Sequence, residues 1–258
     1  MSVLGIDLAA EPKKTYACVL EARDRALHAA IHRSCDDERL IELAAGKEKV
    51  GIDAPFGWPR PFVEALVAHR DREAWPAPAT DPKAFRRTLS FRATDLHIMQ
   101  TRRPLSVSTD KLGVTAMRCA HLLHRWVAAG ETVDRSGGGT FVEVYPAAAL
   151  ARWGFEPGGY KGSGGTGALG ALADRLFDAL PMVLEPDDKD LCRANDDAFD
   201  ALVAALVTRA AALGTTDGPP ADVRELAEEE GWIHLPRAGA RLIELAARAT
   251  RSPRRAGR

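Results

Sequence analysis

The chain has 258 residues, 46% of them apolar, and carries 35 basic against 36 acidic side chains. That length and apolar content predict one large core, or one core with an inserted subdomain. Because the net charge is close to zero, composition alone does not indicate nucleic-acid binding, which only a local cluster of charge would indicate.

Four scattered cysteines, with no CxxC pair and no histidine at zinc spacing, predict reduced thiols rather than disulfides or a zinc site. The N-terminus reaches Asp7 before a signal peptide could form, and no apolar run approaches the ~20 residues that a membrane span needs. We therefore expect a cytoplasmic enzyme of bacterial type, without a membrane partner.

The first 53 residues predict the element order βββαβ. Residues 3–9, 15–22 and 26–34 form three closely spaced apolar strands, which favours an antiparallel meander. Acidic residues at 36–38 open a helix, where the positive end of the helix dipole favours them. The strand at 49–53 follows this helical crossover and is expected to lie parallel to its neighbour.

The strand signal disappears between residues 58 and 135, where six prolines separate helical stretches at 62–69 and 114–128. We expect an inserted, mostly helical cap here, within a single domain over 1–250. A strand at 140–145, a helix at 146–153, a flexible glycine-rich loop at 158–170 and two late helices at 169–180 and 197–213 follow. The basic tail at 251–258 is expected to be disordered.

The tripeptide Gly-Ile-Asp occurs twice, ending at Asp7 and at Asp53, each time as the close of an apolar strand. A carboxylate next to a buried strand is costly unless a cation or hydrogen bonds compensate it. Two such residues at neighbouring strand ends predict one shared site. Asp53 has the alternative role of capping the turn that follows it.

Further acids belong to this predicted site: Glu143 in an apolar strand, and Asp197 with Asp200 at i and i+3 of a late helix. We expect Asp7, Asp53, Asp197 and Asp200 to bind Mg²⁺ or Mn²⁺, and Glu143 to join them in catalysis. Two ions about 4 Å apart would activate a water and stabilise a leaving oxygen. Asp197 has an alternative explanation as an acid in the first helical turn that only the helix dipole favours. Glu143 has one as a strand residue that faces solvent.

A basic segment spans residues 83–125, where nine lysines and arginines face two aspartates, a local charge of +7. Phe85 and Phe91 lie between these basic residues in the sequence, as would aromatic side chains on which unpaired bases stack. The expected substrate-binding residues are Arg92, Asp95, Arg102, Arg103 and, in the glycine-rich loop, Lys161. The alternative is a solvated helical face that balances acidic neighbours.

Several segments together resemble the DUF429 family, which is grouped with predicted RNase H-like nucleases. These are Gly5-Ile6-Asp7-Leu8-Ala9, Gly51-Ile52-Asp53-Ala54-Pro55-Phe56-Gly57, Arg92-Ala93-Thr94-Asp95, Glu143-Val144-Tyr145-Pro146, Tyr160-Lys161, Asp197-Ala198-Phe199-Asp200-Ala201-Leu202 and Glu230-Gly231-Trp232-Ile233. The resemblance implies an α/β fold with an RNase H-like core, whose mixed five-stranded sheet has three antiparallel strands, then parallel ones, flanked by helices. RuvC-like resolvases similarly hold acids on the first strand, the fourth strand and the last helix, which Asp7, Asp53 and Asp197/Asp200 match.

The sequence therefore predicts a divalent-metal-dependent nuclease that hydrolyses phosphodiester bonds of DNA or RNA by a two-metal mechanism. One alternative keeps the fold and makes the protein a phosphotransferase or ATPase-like nucleotide-binding protein. The other is a non-catalytic nucleic-acid-binding module. Both alternatives remain open at the level of sequence.

Overall fold

The computed structural model describes residues 1–76, 81–162 and 165–246, so the predicted tail at 251–258 lies outside the described residues. The strands are β1 Ser2–Asp7, β2 Tyr16–Arg23, β3 Ala26–His32, β4 Lys49–Asp53, β5 Phe141–Val144, β6 Met182–Val183, β7 Thr216–Asp217 and β8 Ile233–Pro236. The helices are α1 Asp37–Ala44, α2 Arg60–Arg70, α3 Pro82–Ser90, α4 Ala93–Ile98, α5 Gly113–Ala128, α6 Pro146–Arg152, α7 Thr166–Ala179, α8 Pro186–Ala194, α9 Asp196–Ala212 and α10 Arg224–Glu230.

The strands form one mixed sheet in the order β6-β3-β2-β1-β4-β5-β8-β7. Strand β2 pairs antiparallel with both β1 and β3, and β4 lies parallel to β1. Strands β5 and β8 continue the parallel half. The α/β class and the βββαβ order are confirmed, but the expected count of five strands is wrong. Two of the three additional strands have only two residues each, too short for an alternating pattern to show in the sequence.

The two Gly-Ile-Asp tripeptides lie side by side in register, with Gly5 opposite Gly51 and Asp7 opposite Asp53. Both glycines let helix α9 approach the sheet closely. A Cβ on Gly5 would clash with the backbone of Ala205, and one on Gly51 would clash with the hydroxyl of Thr208. The repeat therefore combines a space requirement with the delivery of two carboxylates to one edge.

Helices cover both faces of the sheet. Helix α9 packs on one face, and every residue from Ala198 to Ala210 is buried, which explains why the helix is apolar almost all round. On the other face, α1 and α5 enclose a second cluster that includes Leu40, Leu122 and Trp126. Among the described residues, no helix is both long and apolar enough to cross a membrane.

Four helices, α2 to α5, connect β4 to β5 where a cap was expected. The last of them contributes Cys119, Leu122, Leu123 and Trp126 to the core beside the sheet. By contrast, α2 presents exposed apolar side chains, such as Val63 and Leu66. The first helix of this segment thus presents apolar side chains to solvent, whereas the last helix packs on the sheet. The end of the expected cap at residue 135 stays a prediction.

Candidate metal centre

Three carboxylates that are far apart in the sequence converge at one edge of the sheet. Ligand oxygens of Asp7, Asp53 and Asp200 all lie within 4.8 Å of one another. Asp200 is buried, whereas Asp7 and Asp53 are partly accessible. The cluster is therefore open on one side and closed by the core on the other.

Each carboxylate is held there by regular structure. Asp7 and Asp53 are the last residues of β1 and β4, which are paired in parallel. Asp200 lies in the second turn of α9, a helix whose start is fixed by Asn195, whose side-chain oxygen accepts from the Ala198 amide at 2.7 Å. Two strands and one helix position the three side chains, so that little conformational entropy remains to be lost when a ligand binds.

The donor set suits a hard divalent cation. All three side chains offer carboxylate oxygens, the ligands that Mg²⁺ and Mn²⁺ prefer. Among the described residues, no arginine forms an ion pair with any of the three. The residues present therefore fit the ion expected from the sequence, and the chemistry of the donors argues against a soft metal.

Burial and mutual repulsion raise the pKa values of these three acids. Burial, followed by the charges of Asp200 and Asp53, raises the pKa of Asp7 well above its usual range. Burial raises the pKa of Asp53 to about 7. The charge of Lys161 opposes this rise, and the charge of Asp200 adds to it. Burial also raises the pKa of Asp200. Such mutual destabilisation is typical of functional sites and would be relieved by a cation.

Asp200 has two further neighbours from the glycine-rich segment. The Tyr160 hydroxyl donates to Asp200 Oδ1 at 2.7 Å. The Lys161 ammonium forms an ion pair with Asp200 Oδ2 at 2.5 Å. Burial alone would lower the pKa of Lys161, but the charges of Asp200 and Asp53 outweigh it and raise the pKa. Lys161, expected to contact a substrate phosphate, thus contacts a carboxylate of the cluster instead.

Two of the predicted acids lie outside this trio. Asp197 is partly exposed and does not belong to the group of converging oxygens among the described residues. Its pKa is raised by burial and by the charges of Asp196 and Asp200. Asp197 therefore lies at the rim, where its charge acts on the cluster without a shared ligand position.

Glu143 is buried beside the cluster and bound by an arginine. Its two oxygens accept from Arg92 at 2.7 and 2.8 Å, a bidentate pair. One of them, Oε2, also accepts from the Phe56 amide at 2.9 Å. Since Phe56 follows Asp53 by three residues, Glu143 fixes the chain just after a cluster carboxylate. Its position supports holding Asp53 in place rather than contacting a reacting group.

Arg92 and Asp95 were expected to bind substrate, and their burial corrects this expectation. They are 2% and 1% exposed. The Arg92 guanidinium also donates to both oxygens of Asp95, at 3.0 and 3.1 Å. An arginine that is buried and bonded to two carboxylates is not available to a phosphate. These residues form, with Glu143, an interior network that joins α4 to β5.

The adjacent pair Arg102 and Arg103 remains accessible. Arg103 is exposed and Arg102 partly so. Burial raises the pKa of Tyr145, while a hydrogen bond with Arg102 lowers it and the charge of Asp53 raises it further. Arg102 is therefore close to the edge that carries the cluster. Tyr145 and Tyr160 were not predicted, although Tyr145 directly follows β5, a parallel neighbour of β4, and Tyr160 precedes Lys161.

The basic segment offers fewer free charges than its sequence indicates. Three of its nine cations form ion pairs with other described residues: Arg92 as above, Arg118 with Asp37 at 2.8 Å, and Arg125 with Glu38 at 2.8 Å. The exposed ones are Lys83, Arg86, Arg87, Arg103 and Lys111. Partners more than 50 residues away in sequence account for this reduction.

The fold and site together define an α/β protein with an oxygen-donor cluster at the carboxyl edge of a mixed sheet. The model of the family described as "Protein of unknown function (DUF429)" matches residues 5–225. The chain belongs to this family, which confirms the resemblance seen in the sequence. No curated protein and no solved structure matches the chain.

Proposed function

We propose that the protein is a divalent-metal-dependent nuclease with an RNase H-like core. The single observation that carries the proposal is the convergence of Asp7, Asp53 and Asp200 from two adjacent strand ends and a facing helix. The order β3-β2-β1-β4-β5, antiparallel and then parallel, supports it because it is the sheet that the family resemblance implies. Four buried, free cysteines suit the reducing cytoplasm that we propose as its location.

The roles follow from the positions of the side chains. An Mg²⁺ or Mn²⁺ ion bound here would activate a water for attack on phosphorus and stabilise the leaving oxygen. Asp7 and Asp53 would hold the ion, with Asp200 facing them from α9. Glu143 would keep the chain after Asp53 in place. Attack would form a P–O bond to the water oxygen and break one P–O bond of the phosphodiester, leaving a terminal phosphate on one fragment and, after protonation of the leaving oxygen, a hydroxyl on the other.

The exposed cations support nucleic acid as the substrate. Arg103 is exposed, and Arg102 interacts with Tyr145, on whose pKa the charge of Asp53 also acts; in this proposal both arginines contact phosphates that flank the reacting one. Lysines and arginines that neutralise phosphates make affinity fall with salt. DNA and RNA remain equal candidates, since no base-reading feature distinguishes them in the part of the chain that the structure describes.

The test is cleavage of end-labelled DNA and RNA, single- and double-stranded, with Mg²⁺, Mn²⁺ or EDTA. Asp7→Asn should lower the metal-dependent rate by about 100-fold or more, because it removes a charged ligand fixed by the sheet. The matched control is Asp197→Asn, which alters a neighbouring acid outside the trio and should retain most activity. Folding of both variants is checked by thermal melting.

Equal cleavage by wild type and Asp7→Asn would refute the assignment. Stabilisation by Mg²⁺-ATP without any cleavage or nucleic-acid binding would favour the phosphotransferase alternative. Salt-sensitive nucleic-acid binding that is indifferent to metal and to Asp7→Asn would favour the non-catalytic module.

A further inference from the structure

The loop before α7 holds one lysine against the carboxylate cluster. On one side of Lys161, Tyr160 is 2% exposed, and its ring meets Phe199 edge-on at a centroid distance of 5.9 Å. On the other side, the Gly162 amide donates to Asp196 Oδ2 at 2.9 Å. The residues on both sides of Lys161 are thus attached to α9, Tyr160 by its side chain and Gly162 by its backbone, so that the position of the lysine is set by the fold.

This lysine occupies the accessible side of Asp200. Its side chain is 52% exposed while that of Asp200 is 2% exposed, so the ammonium approaches from the solvent. With Lys161 on Oδ2 and the Tyr160 hydroxyl on Oδ1, each oxygen of Asp200 already has a partner. A divalent ion bound to Oδ2 at the usual distance of about 2 Å would meet the ammonium directly.

Charge balance gives the same result. Three ionised carboxylates and one ammonium leave a net charge of minus two, which one divalent ion balances. A second ion at Asp200 would have to bind Oδ2, which the Lys161 ammonium already contacts at 2.5 Å. Both the space and the charge at Asp200 are therefore taken by the protein's own cation.

We infer that Lys161 fills the place of a second cation, so that the centre holds one divalent ion, at Asp7 and Asp53, and not two. This inference rests on the proposed metal-dependent function and revises its expected ion count. It also makes Lys161 the residue that determines how many ions the centre takes.

The experiment is a titration of metal-free, full-length protein with Mn²⁺, in which free Mn²⁺ is measured by its electron paramagnetic resonance signal. Wild type should bind one ion per chain. Lys161→Met should bind two, with the first held about tenfold tighter, equal to about 1.4 kcal/mol, because a repelling charge is gone. Lys161→Arg, which keeps the charge, and Lys111→Met, which removes an exposed lysine elsewhere, should each bind one.

Thermal melting without metal establishes that each variant is folded. The inference is overturned if wild type binds two ions, a result that does not depend on any variant. It is also overturned if folded Lys161→Met binds one ion or none while wild type binds one. If wild type binds two ions and Asp7→Asn binds fewer, only the inference about Lys161 is refuted, and the proposed metal-dependent function is retained. If no form binds Mn²⁺, the proposed metal-dependent function falls with it.

Discussion

Replacing Arg92 by Met tests the buried network behind the cluster. The Arg92 side chain donates five hydrogen bonds: two to Asp95, two to Glu143 and one to the Glu230 carbonyl. All of these groups are buried. The substitution keeps a long apolar side chain but leaves two carboxylates in the interior without a counter-charge.

The expected cost is set by that imbalance. Removing one partner of a buried pair typically costs about 3–5 kcal/mol, which is a large part of a folding free energy of about 5–15 kcal/mol. The matched control is Arg39→Met, which breaks an ion pair with Glu42 whose side chains are 47% and 67% exposed. An exposed pair of this kind contributes about 0–1 kcal/mol.

Urea unfolding of metal-free protein measures both variants, at pH 8 and at pH 5. Burial already raises the pKa of Glu143, and the charge and hydrogen bonds of Arg92 oppose that rise. Without Arg92 the pKa of Glu143 rises further, so the folded variant takes up a proton as pH falls. Its deficit relative to wild type should therefore be smaller at pH 5 than at pH 8. A deficit no larger than that of Arg39→Met, or one that does not shrink in acid, would refute the reasoning.

Three further substitutions test the cluster, the helix approach and the basic surface. Because the folded pKa of Asp53 is raised from 3.8 to about 7, metal-free stability is lost as pH rises between these values; Asp53→Asn should unfold at higher urea than wild type at pH 8 and no higher near pH 4. Lower stability of Asp53→Asn at pH 8 would contradict this. Gly51→Ala should lower the free energy of unfolding by about 1–3 kcal/mol, because the added methyl group overpacks against Thr208. The same change should cost less in a Thr208→Ala background, so strictly additive effects of the two substitutions on the urea midpoint would contradict the contact. Arg103→Ala should weaken nucleic-acid binding and reduce the slope of log affinity against log salt by about 1, whereas an unchanged slope would remove Arg103 from the interface.

The sequence predicts the parts of the site that depend on local pattern. Strand ends are visible as apolar runs that close on an acid, and this predicted the pairing of Asp7 with Asp53. The interior network was not predictable in the same way. Arg92 and Glu143 are 51 residues apart, and nothing local distinguishes an arginine that binds a buried carboxylate from one that faces solvent. The same limit explains why the basic segment was counted as more highly charged than its surface is.

The choice between Asp197 and Asp200 depends on a contact that only the fold provides. Helix α9 approaches β1 at Gly5, whose absent Cβ would meet the backbone of Ala204 and Ala205. From Gly5 to Asp7 the strand advances about 6.6 Å. From Ala204 back to Asp200 the helix advances about 6 Å, whereas Asp197 lies about 10.5 Å away on nearly the same face. Asp200 is therefore level with the strand ends, and Asp197 overshoots them by about one turn. A glycine that admits the helix backbone thus also determines which acid completes the cluster. Moving the acid by one turn of α9 should therefore weaken ion binding at Asp7 and Asp53, because the ammonium of Lys161 would lose the carboxylate that balances it.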